Sequence, residues 1–387
     1  MPEKFPPAAA WSSALVAALV GFGGTIALVV QAMGNMGASV EQIGSAITAL
    51  CLGIAIAGAT LSFRLRMPVI LAWSTPGAAL LAAAPGLSWP FAVAAFLASG
   101  LLMMVLGAVP PLTRLAERIP GSIASAMLAG VLLPFCLELF RLTADDPLLI
   151  LILLAVFVVA RRYVPLHALL LVLVGGIALT LLRNALSPLP EGETFGMLAP
   201  VAPALDPRTL VSVGLPLFLV TLASQNLPGL LVLRSAGYSP RPAPLLVGTG
   251  LATLVGAPFG AHSVNLAAIT AAICTNAEAH PDRERRWVVG MLYAGFYLGL
   301  ALWSPGLVRL FLALPHSVIA ALTGLALVPA LTGAAGAMLS GEDDREPAIL
   351  TFLATGSGMT LLGLGSAFWG LIIGFAAFAI TKRLRKA

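Results

Sequence analysis

Met67-Pro68-Val69-Ile70-Leu71-Ala72-Trp73-Ser74-Thr75-Pro76-Gly77-Ala78-Ala79-Leu80 changes character halfway along. It opens as an extended, β-favouring run and then reads as a helix start: Thr75 supplies a hydroxyl N-cap and Pro76 the first helical position, where no backbone N–H is missed. The helix has about nine residues before Pro85, roughly 14 Å, which is half the hydrocarbon thickness of a bilayer, so it should begin near the midplane. A second stretch repeats the arrangement. Gly256-Ala257-Pro258-Phe259-Gly260-Ala261-His262-Ser263-Val264-Asn265 is a Gly/Pro-broken approach to an apolar helix running from Leu266 towards Cys274, with Ser263 as the natural N-cap. Unpaired N–H groups at a helix start carry partial positive charge, so two facing starts favour an anion. Glycine and proline also kink ordinary spanning helices. Two broken segments at corresponding places in two halves of a chain point instead to a transporter's binding site.

The sequence around these segments belongs in a membrane. Of 387 residues, 59% are hydrophobic and 10% charged, which excludes a soluble globular domain. Apolar runs predict fourteen spans, at 11–33, 42–62, 68–84, 89–110, 120–140, 146–161, 164–182, 208–233, 244–257, 263–277, 284–304, 314–332, 347–362 and 364–381, with twelve as the alternative count. The first run lacks a small-residue cleavage signal and reads as a spanning helix rather than a removable leader. Cys51, Cys136 and Cys274 are scattered through apolar segments without CxxC spacing, so they imply neither a disulfide framework nor a metal site.

With a cytoplasmic N-terminus, 17 of the 21 Lys and Arg fall on the cytoplasmic side, leaving Arg141, Arg183, Arg208 and Arg309 opposite. This asymmetry predicts that both termini are cytoplasmic. It also explains the net charge of +5 without nucleic acid, since the basic residues sit in short loops rather than on one face.

The Pro-rich stretch 184–207 divides the chain into a first unit, 1–183, and a second, 208–387. Ile119-Pro120-Gly121-Ser122-Ile123, with Pro134 expected to close its helix, matches Leu314-Pro315-His316-Ser317-Val318, closed by Pro329, both prolines offset by 195 residues. Seven spans per half is odd, so the halves cross the membrane in opposite senses, as in inverted-repeat transporters.

Candidate substrate-reading groups lie in three spans. Ser224, Gln225 and Asn226 are consecutive polar residues before Pro228-Gly229 in the eighth span, and such a cluster should face the interior or a wet cavity, or else hydrogen-bond between helices. His262 is the one histidine placed deep in the membrane at a half-helix start. Among the 16 acidic residues only Glu138 approaches a span interior, with Arg141 one turn on to pair with it, so sodium coupling is less favoured than proton coupling or none. Walker, HExxH, GxSxG and Rossmann patterns are absent, which gives neither an ATP-driven pump nor an enzyme a basis.

Ala72-Trp73-Ser74-Thr75-Pro76-Gly77-Ala78-Ala79-Leu80, Ser224-Gln225-Asn226-Leu227-Pro228-Gly229 and Gly260-Ala261-His262-Ser263-Val264-Asn265 resemble the benzoate/proton symporter (BenE) family, over the whole chain. That family is similar to the nucleobase and sulfate-type anion transporters. The resemblance implies an all-α integral membrane fold of fourteen segments in two inverted repeats of seven, with half-helices and short extended stretches in segments 3 and 10. It implies a core domain from segments 1–4 and 8–11 and a gate domain from segments 5–7 and 12–14, with substrate between the two half-helix starts.

In the nucleobase branch, spans 8 and 10 carry acidic groups. Here those places fall at Gln225 and His262, a departure that suits an aromatic carboxylate, which carboxylates would repel.

The expected substrate set is Ser74, Thr75, Pro76, Gly77, Ser224, Gln225, Asn226, His262, Ser263 and Asn265, with the carboxylate on N–H groups after Thr75 and Ser263, and Phe22 or Trp73 against the ring. His262 is the proton-coupling candidate. The expected function is secondary, proton-coupled import of benzoate or a similar small aromatic carboxylate across the bacterial cytoplasmic membrane, without cofactor or metal. A homodimer is left open. The alternatives are an inorganic-anion exchanger or channel, for bicarbonate or sulfate, and a membrane scaffold without flux.

Overall fold

The computed structural model describes residues 6–84, 86–111, 120–341, 344–362 and 364–384. Pro85 and Ile119, used above to close the first half-helix and open the repeated motif, lie outside the described residues, as do Lys4, Arg114, Arg118, Arg385 and Lys386 of the charge pattern.

Among the described residues, nine helices are long and apolar enough to cross a membrane, and five further segments, 3, 6, 10, 13 and 14, complete the set of fourteen. Segment 1 is α1 (Ala8–Gly23) and α2 (Ile26–Asn35), and segment 2 is α3 (Val40–Leu65). Segment 3 is β1 (Leu71–Trp73) and α4 (Thr75–Ala82), and segment 4 is α5 (Trp89–Ala108). Segments 5 to 7 are α6 (Gly121–Arg141), α7 (Pro147–Tyr163) and α8 (Ala168–Leu182). Segment 8 is α9 (Pro207–Ser235) and segment 9 is α10 (Pro242–Gly256). Segment 10 is β2 (Val264–Leu266) and α11 (Ile269–Thr275). Segments 11 to 14 are α12 (Trp287–Leu312), α13 (His316–Met338), α14 (Arg345–Gly356) and α15 (Ser366–Leu384).

The inverted repeat shows in which segments pack together. Segment 2 packs along segment 11, and its repeat equivalent, segment 9, packs along segment 4. Segments 5 and 12, equivalent to each other, pack face to face, and so do β1 and β2. The pairing of 6 with 7 recurs as 13 with 14. Large apolar side chains such as Ile56, Val158, Leu251, Val255 and Leu353 stay exposed, as a lipid-facing surface requires, while β1 and β2 sit in the buried centre. Glu138 and Arg141 form the expected pair, at 3.4 Å.

Three expectations need correction. The first span is not one rod: it breaks at Gly24-Thr25, where the Thr25 hydroxyl donates to the Gly21 carbonyl. The eleventh span, expected to stop at 304, runs on through Pro305 to Leu312, and Pro134 and Pro329, expected to close their helices, lie inside helices that continue to Arg141 and Met338. Pro305 cannot donate to the Ala301 carbonyl, and Ser304 Oγ donates to it instead at 2.9 Å, so the helix continues with its freed acceptor satisfied.

The linker stretch 184–207 is tied down along its length. Gly196 N–H donates to Leu302 O and Gly306 N–H to Thr194 O, so it zips onto α12 at the proline kink. Further along, Ala199 N–H meets Ser45 Oγ, Val201 N–H meets Pro258 O and Ala204 N–H meets Pro90 O. The linker is thereby strapped across segments 2, 4 and 11 and the approach to β2.

Candidate functional site: two interrupted segments meeting at the centre

β1 and β2 pair antiparallel, with Leu71 opposite Leu266, Ala72 opposite Asn265 and Trp73 opposite Val264. Both are sealed in the protein, so every polar group in them must find a partner inside the molecule or in a ligand. One residue beyond the last pair, Ser74 and Ser263 lie opposite each other by register. There the two halves diverge in structure.

On the first side a half-helix begins, one residue earlier than the sequence reading put it. Ser74, not Thr75, is the N-cap: its side chain accepts from Gly77 N–H at 2.9 Å, and Thr75 and Pro76 occupy the first two helical positions. Pro76, at the second helical position, has no N–H to give, so the Ser74 cap takes the Gly77 N–H at the third. A side chain at Gly77 would lie 2.9 Å from Leu217 Cδ1 and 3.0 Å from Ser74, which is why this position has none. The Thr75 N–H is the donor that the cap leaves unused, at the positive end of α4.

On the second side the helix starts later than expected. α11 runs Ile269–Thr275 rather than from Leu266, and Ser263 caps nothing. The residues after Ser263 remain extended because side chains from neighbouring segments take their N–H groups: Val264 N–H meets Thr253 Oγ1 at 2.9 Å, and Leu266 N–H meets Asn226 Oδ1 at 3.0 Å. The N–H groups expected to greet a carboxylate after Ser263 are therefore occupied. What this side offers is side chains. Ser263 Oγ and Asn265 Nδ2 are buried with no hydrogen-bond partner. Asn265 Oδ1 already accepts from Asn226 Nδ2 at 2.9 Å, so the free end of Asn265 is its donor end.

Of the three polar residues in segment 8, the structure brings one to β2. α9 widens into π turns at Leu210–Gly214 and Leu222–Asn226, each followed within two residues by a proline, Pro216 and Pro228. A proline ring clashes with the carbonyl four residues back, and a widened turn relieves the clash. The second widened turn carries the cluster: Asn226 points at β2 and is fully buried, while Ser224 Oγ donates to Val220 O in its own helix at 2.6 Å. Gln225 is half-buried and makes no hydrogen bond among the described residues.

His262 is buried, with Nε2 3.1 Å from the Ser74 carbonyl. A carbonyl only accepts, so Nε2 carries the hydrogen, and the histidine of one repeat is tied to the N-cap residue of the other. Its ring meets the Phe96 edge, with centroids 6.3 Å apart. Gly260 makes this approach possible: its φ is +95°, and a Cβ there would lie 2.6 Å from the Trp89 ring.

Phe22 and Trp73 are packed together at 5.4 Å, and the Trp73 indole N–H donates to Thr25 Oγ1 at 2.7 Å. Sequence reasoning did not single out Thr25, Thr253, Tyr293 or Tyr297. Tyr293 donates to Leu71 O at 2.9 Å, holding β1 from the side opposite Thr253 and β2, and the Tyr297 hydroxyl is a further buried group without a partner. The available signal was a hydroxyl within an apolar span, which membrane helices disfavour unless it has a use.

No carboxylate belongs to this set. Its polar groups come from both repeats: the capped start of α4, the unpartnered Ser263 and Asn265 on the strand paired with its approach, and the His262 imidazole tied to Ser74.

The comparisons with known proteins agree with that architecture. A family model described as "Benzoate membrane transport protein" matches residues 4–380. The chain is 39% identical over 368 residues to "Inner membrane protein YdcO" of Escherichia coli K12, with 94% of each chain covered. It is 35% identical over 366 residues to "Benzoate membrane transport protein" of Acinetobacter baylyi, covering 94% of this chain and 93% of that one. Among solved structures, the transmembrane domain of the cyanobacterial bicarbonate transporter BicA superposes with a TM-score of 0.61 at 14% identity, covering 94% of this chain and 97% of that one. SLC26A9 superposes at 0.62 and 15% identity, covering 96% of this chain and 65% of that one. At these identities the likeness is one of fold.

Proposed function

The chain belongs to the benzoate membrane transport protein family, a family of membrane transporters rather than enzymes, and on that footing we propose that it imports benzoate or a similar small aromatic carboxylate by proton-coupled alternating access. The observation that carries the reading is the pair of buried, unpartnered donors, Ser263 Oγ and Asn265 Nδ2, opposite the start of α4. An unsatisfied buried polar group costs about 1–3 kcal/mol, so a ligand that brings acceptors and no donors offsets what the empty site leaves unmade. A carboxylate is such a ligand. The binding set is Ser74, Thr75, Pro76, Gly77, Ser224, Gln225, Asn226, His262, Ser263 and Asn265, with Asn226 holding Asn265 in its donor orientation and Ser224 shaping the widened turn.

His262 is the proton carrier in this reading. With Nε2–H committed to Ser74 O, the coupled proton goes to Nδ1, and carboxylate and imidazolium then cross as a neutral pair. Segments 1–4 and 8–11 form the core domain that carries the site, and segments 5–7 and 12–14 the gate domain against which it moves. The termini are cytoplasmic and the membrane is the bacterial inner membrane.

Uptake of labelled benzoate into proteoliposomes tests this. An inward proton gradient should drive accumulation, and accumulation indifferent to the gradient would reject the coupling. The same donors could accept bicarbonate or sulfate, so competition decides the substrate class: inhibition by sulfate but not by aromatic acids would replace benzoate with an inorganic anion.

A further inference from the structure

A cavity of about 590 Å³ lies away from the half-helix starts, among the ends of segments 3 and 13 and the starts of segments 4, 8 and 14. Its volume falls within the usual range for small-molecule sites, about 300–1,000 Å³. One wall comes from the end of α4 and the starts of α5 and α9, the other from α6, the end of α14 and the start of α15. These are the two sets of segments assigned above to the core and the gate. Leu80 lines the cavity six residues after Ser74, so its floor lies roughly 9 Å along α4 from the half-helix start.

The lining is unusual for a seam between packed helices. Arg208 lies in it, exposed and in no ion pair among the described residues. The nearby carboxylate in sequence, Asp206, is occupied in capping α9: its Oδ2 accepts from both Thr209 N–H and Thr209 Oγ1 at 2.9 Å. Phe91 and Leu80 give an apolar patch, and Ser212, Thr360 and Ser366 add hydroxyls. One guanidinium, one aromatic ring and a few hydroxyls around a cavity of this volume match a small aromatic carboxylate, because guanidinium meets carboxylate bidentately and the ring takes an apolar wall.

The geometry points to a second substrate site here, an entry site at which Arg208 captures the carboxylate before it reaches the half-helices. The inference rests on the aromatic-carboxylate reading of the previous subsection and adds a site to it. Arg208 raises the local concentration of anions at the mouth, and Asp206, two residues away, reduces that effect. Because both walls line the cavity, movement of one set of segments against the other changes its volume, and the bound anion is then passed along α4 towards Ser74.

The test is the concentration dependence of initial benzoate uptake by the purified full chain in proteoliposomes, at low and at high salt. Arg208→Gln should raise KM about three- to tenfold at low salt with the maximal rate unchanged, as expected when a steering charge is removed. The difference should shrink at high salt, where the Debye length falls to a few ångströms. Arg208→Lys should restore most of the wild-type KM. Asp206→Asn keeps a capping oxygen and should lower KM. A KM that ignores Arg208→Gln, or a maximal rate that falls with KM unchanged in both Arg208 variants, would overturn the entry site alone. Absence of uptake of any aromatic carboxylate by the wild type would overturn the functional reading, and this site with it.

Discussion

Asn226 joins segment 8 to β2 through both ends of its amide, so its replacement probes the site and the fold together. Asn226→Ala removes the bonds to Asn265 Oδ1, to Thr221 O and from Leu266 N–H, in a place with no solvent. Side-chain hydrogen bonds within membrane proteins average only about 0.6 kcal/mol, because the unfolded chain finds other partners in the bilayer. The Leu266 N–H differs, since it belongs to extended backbone and its desolvation costs about 1–3 kcal/mol when left unmade. Adding the side-chain bonds gives a loss of roughly 2–4 kcal/mol. Asn226→Asp separates this from function: it keeps the acceptor for Leu266 N–H but places a carboxylate beside the anion. Two unit charges about 6 Å apart at an effective dielectric of about 20 repel by roughly 3 kcal/mol, which is a ~100-fold loss of affinity. Equilibrium unfolding in mixed micelles and binding of benzoate measured by calorimetry read the two effects. The reasoning fails if Asn226→Ala costs under about 0.5 kcal/mol, or if Asn226→Asp folds and binds benzoate as the wild type does.

Other substitutions follow from single contacts. His262→Gln retains a side-chain donor for the Ser74 carbonyl but cannot titrate, so benzoate exchange should survive while accumulation driven by a proton gradient is lost; equal loss of both would assign His262 a structural part only. Ser304→Ala removes the donor to Ala301 O and the 2.8 Å contact with Thr48, and should cost about 1–2 kcal/mol in unfolding with little change in KM. Gly260→Ala forces a side chain into the Trp89 ring at a positive φ, so a marked loss of folded protein is expected by size-exclusion chromatography. The hydrogen bonds from the Thr209 N–H and hydroxyl hold the Asp206 carboxyl below the usual carboxylate range. Its contribution to the start of α9 is therefore present above the unfolded carboxyl pKa and fades only as pH falls through the lowered folded value, so Asp206→Asn should flatten any acid-side loss of stability in that window.

The sequence was most readable where one residue type settles the backbone locally. Proline after a hydroxyl residue located α4 to within one position, and the β-favouring run before it located β1. Apolar run length located the other segments, though not their ends, since Pro134, Pro305 and Pro329 all lie inside helices that run past them. The second half-helix was misread for a related reason. Ser263 followed by apolar residues has the local look of a helix cap, but Val264–Leu266 is kept extended by Thr253 and Asn226, one from segment 9 and one from segment 8. Such long-range donors and acceptors outweigh a local preference worth only about 1 kcal/mol at a cap.

That misreading changes how an anion would be recognised. Two opposed helix starts would act through partial charges that any anion feels. One helix start facing the Ser263 hydroxyl and the Asn265 amide is less symmetrical: the α4 end supplies field, and the β2 side supplies directed donors. Directed donors discriminate by geometry, since an acceptor must sit along the N–H or O–H to gain the bond. A flat carboxylate brings two acceptor oxygens in one plane, one for each of the donors on Asn265 and Ser263. A tetrahedral sulfate carries further oxygens out of that plane, which the two donors would leave without partners in a buried place. Selectivity for a planar carboxylate over sulfate should therefore collapse in Asn265→Ala before total anion binding does, and a variant that loses both in equal measure would show that the helix field alone sets the affinity.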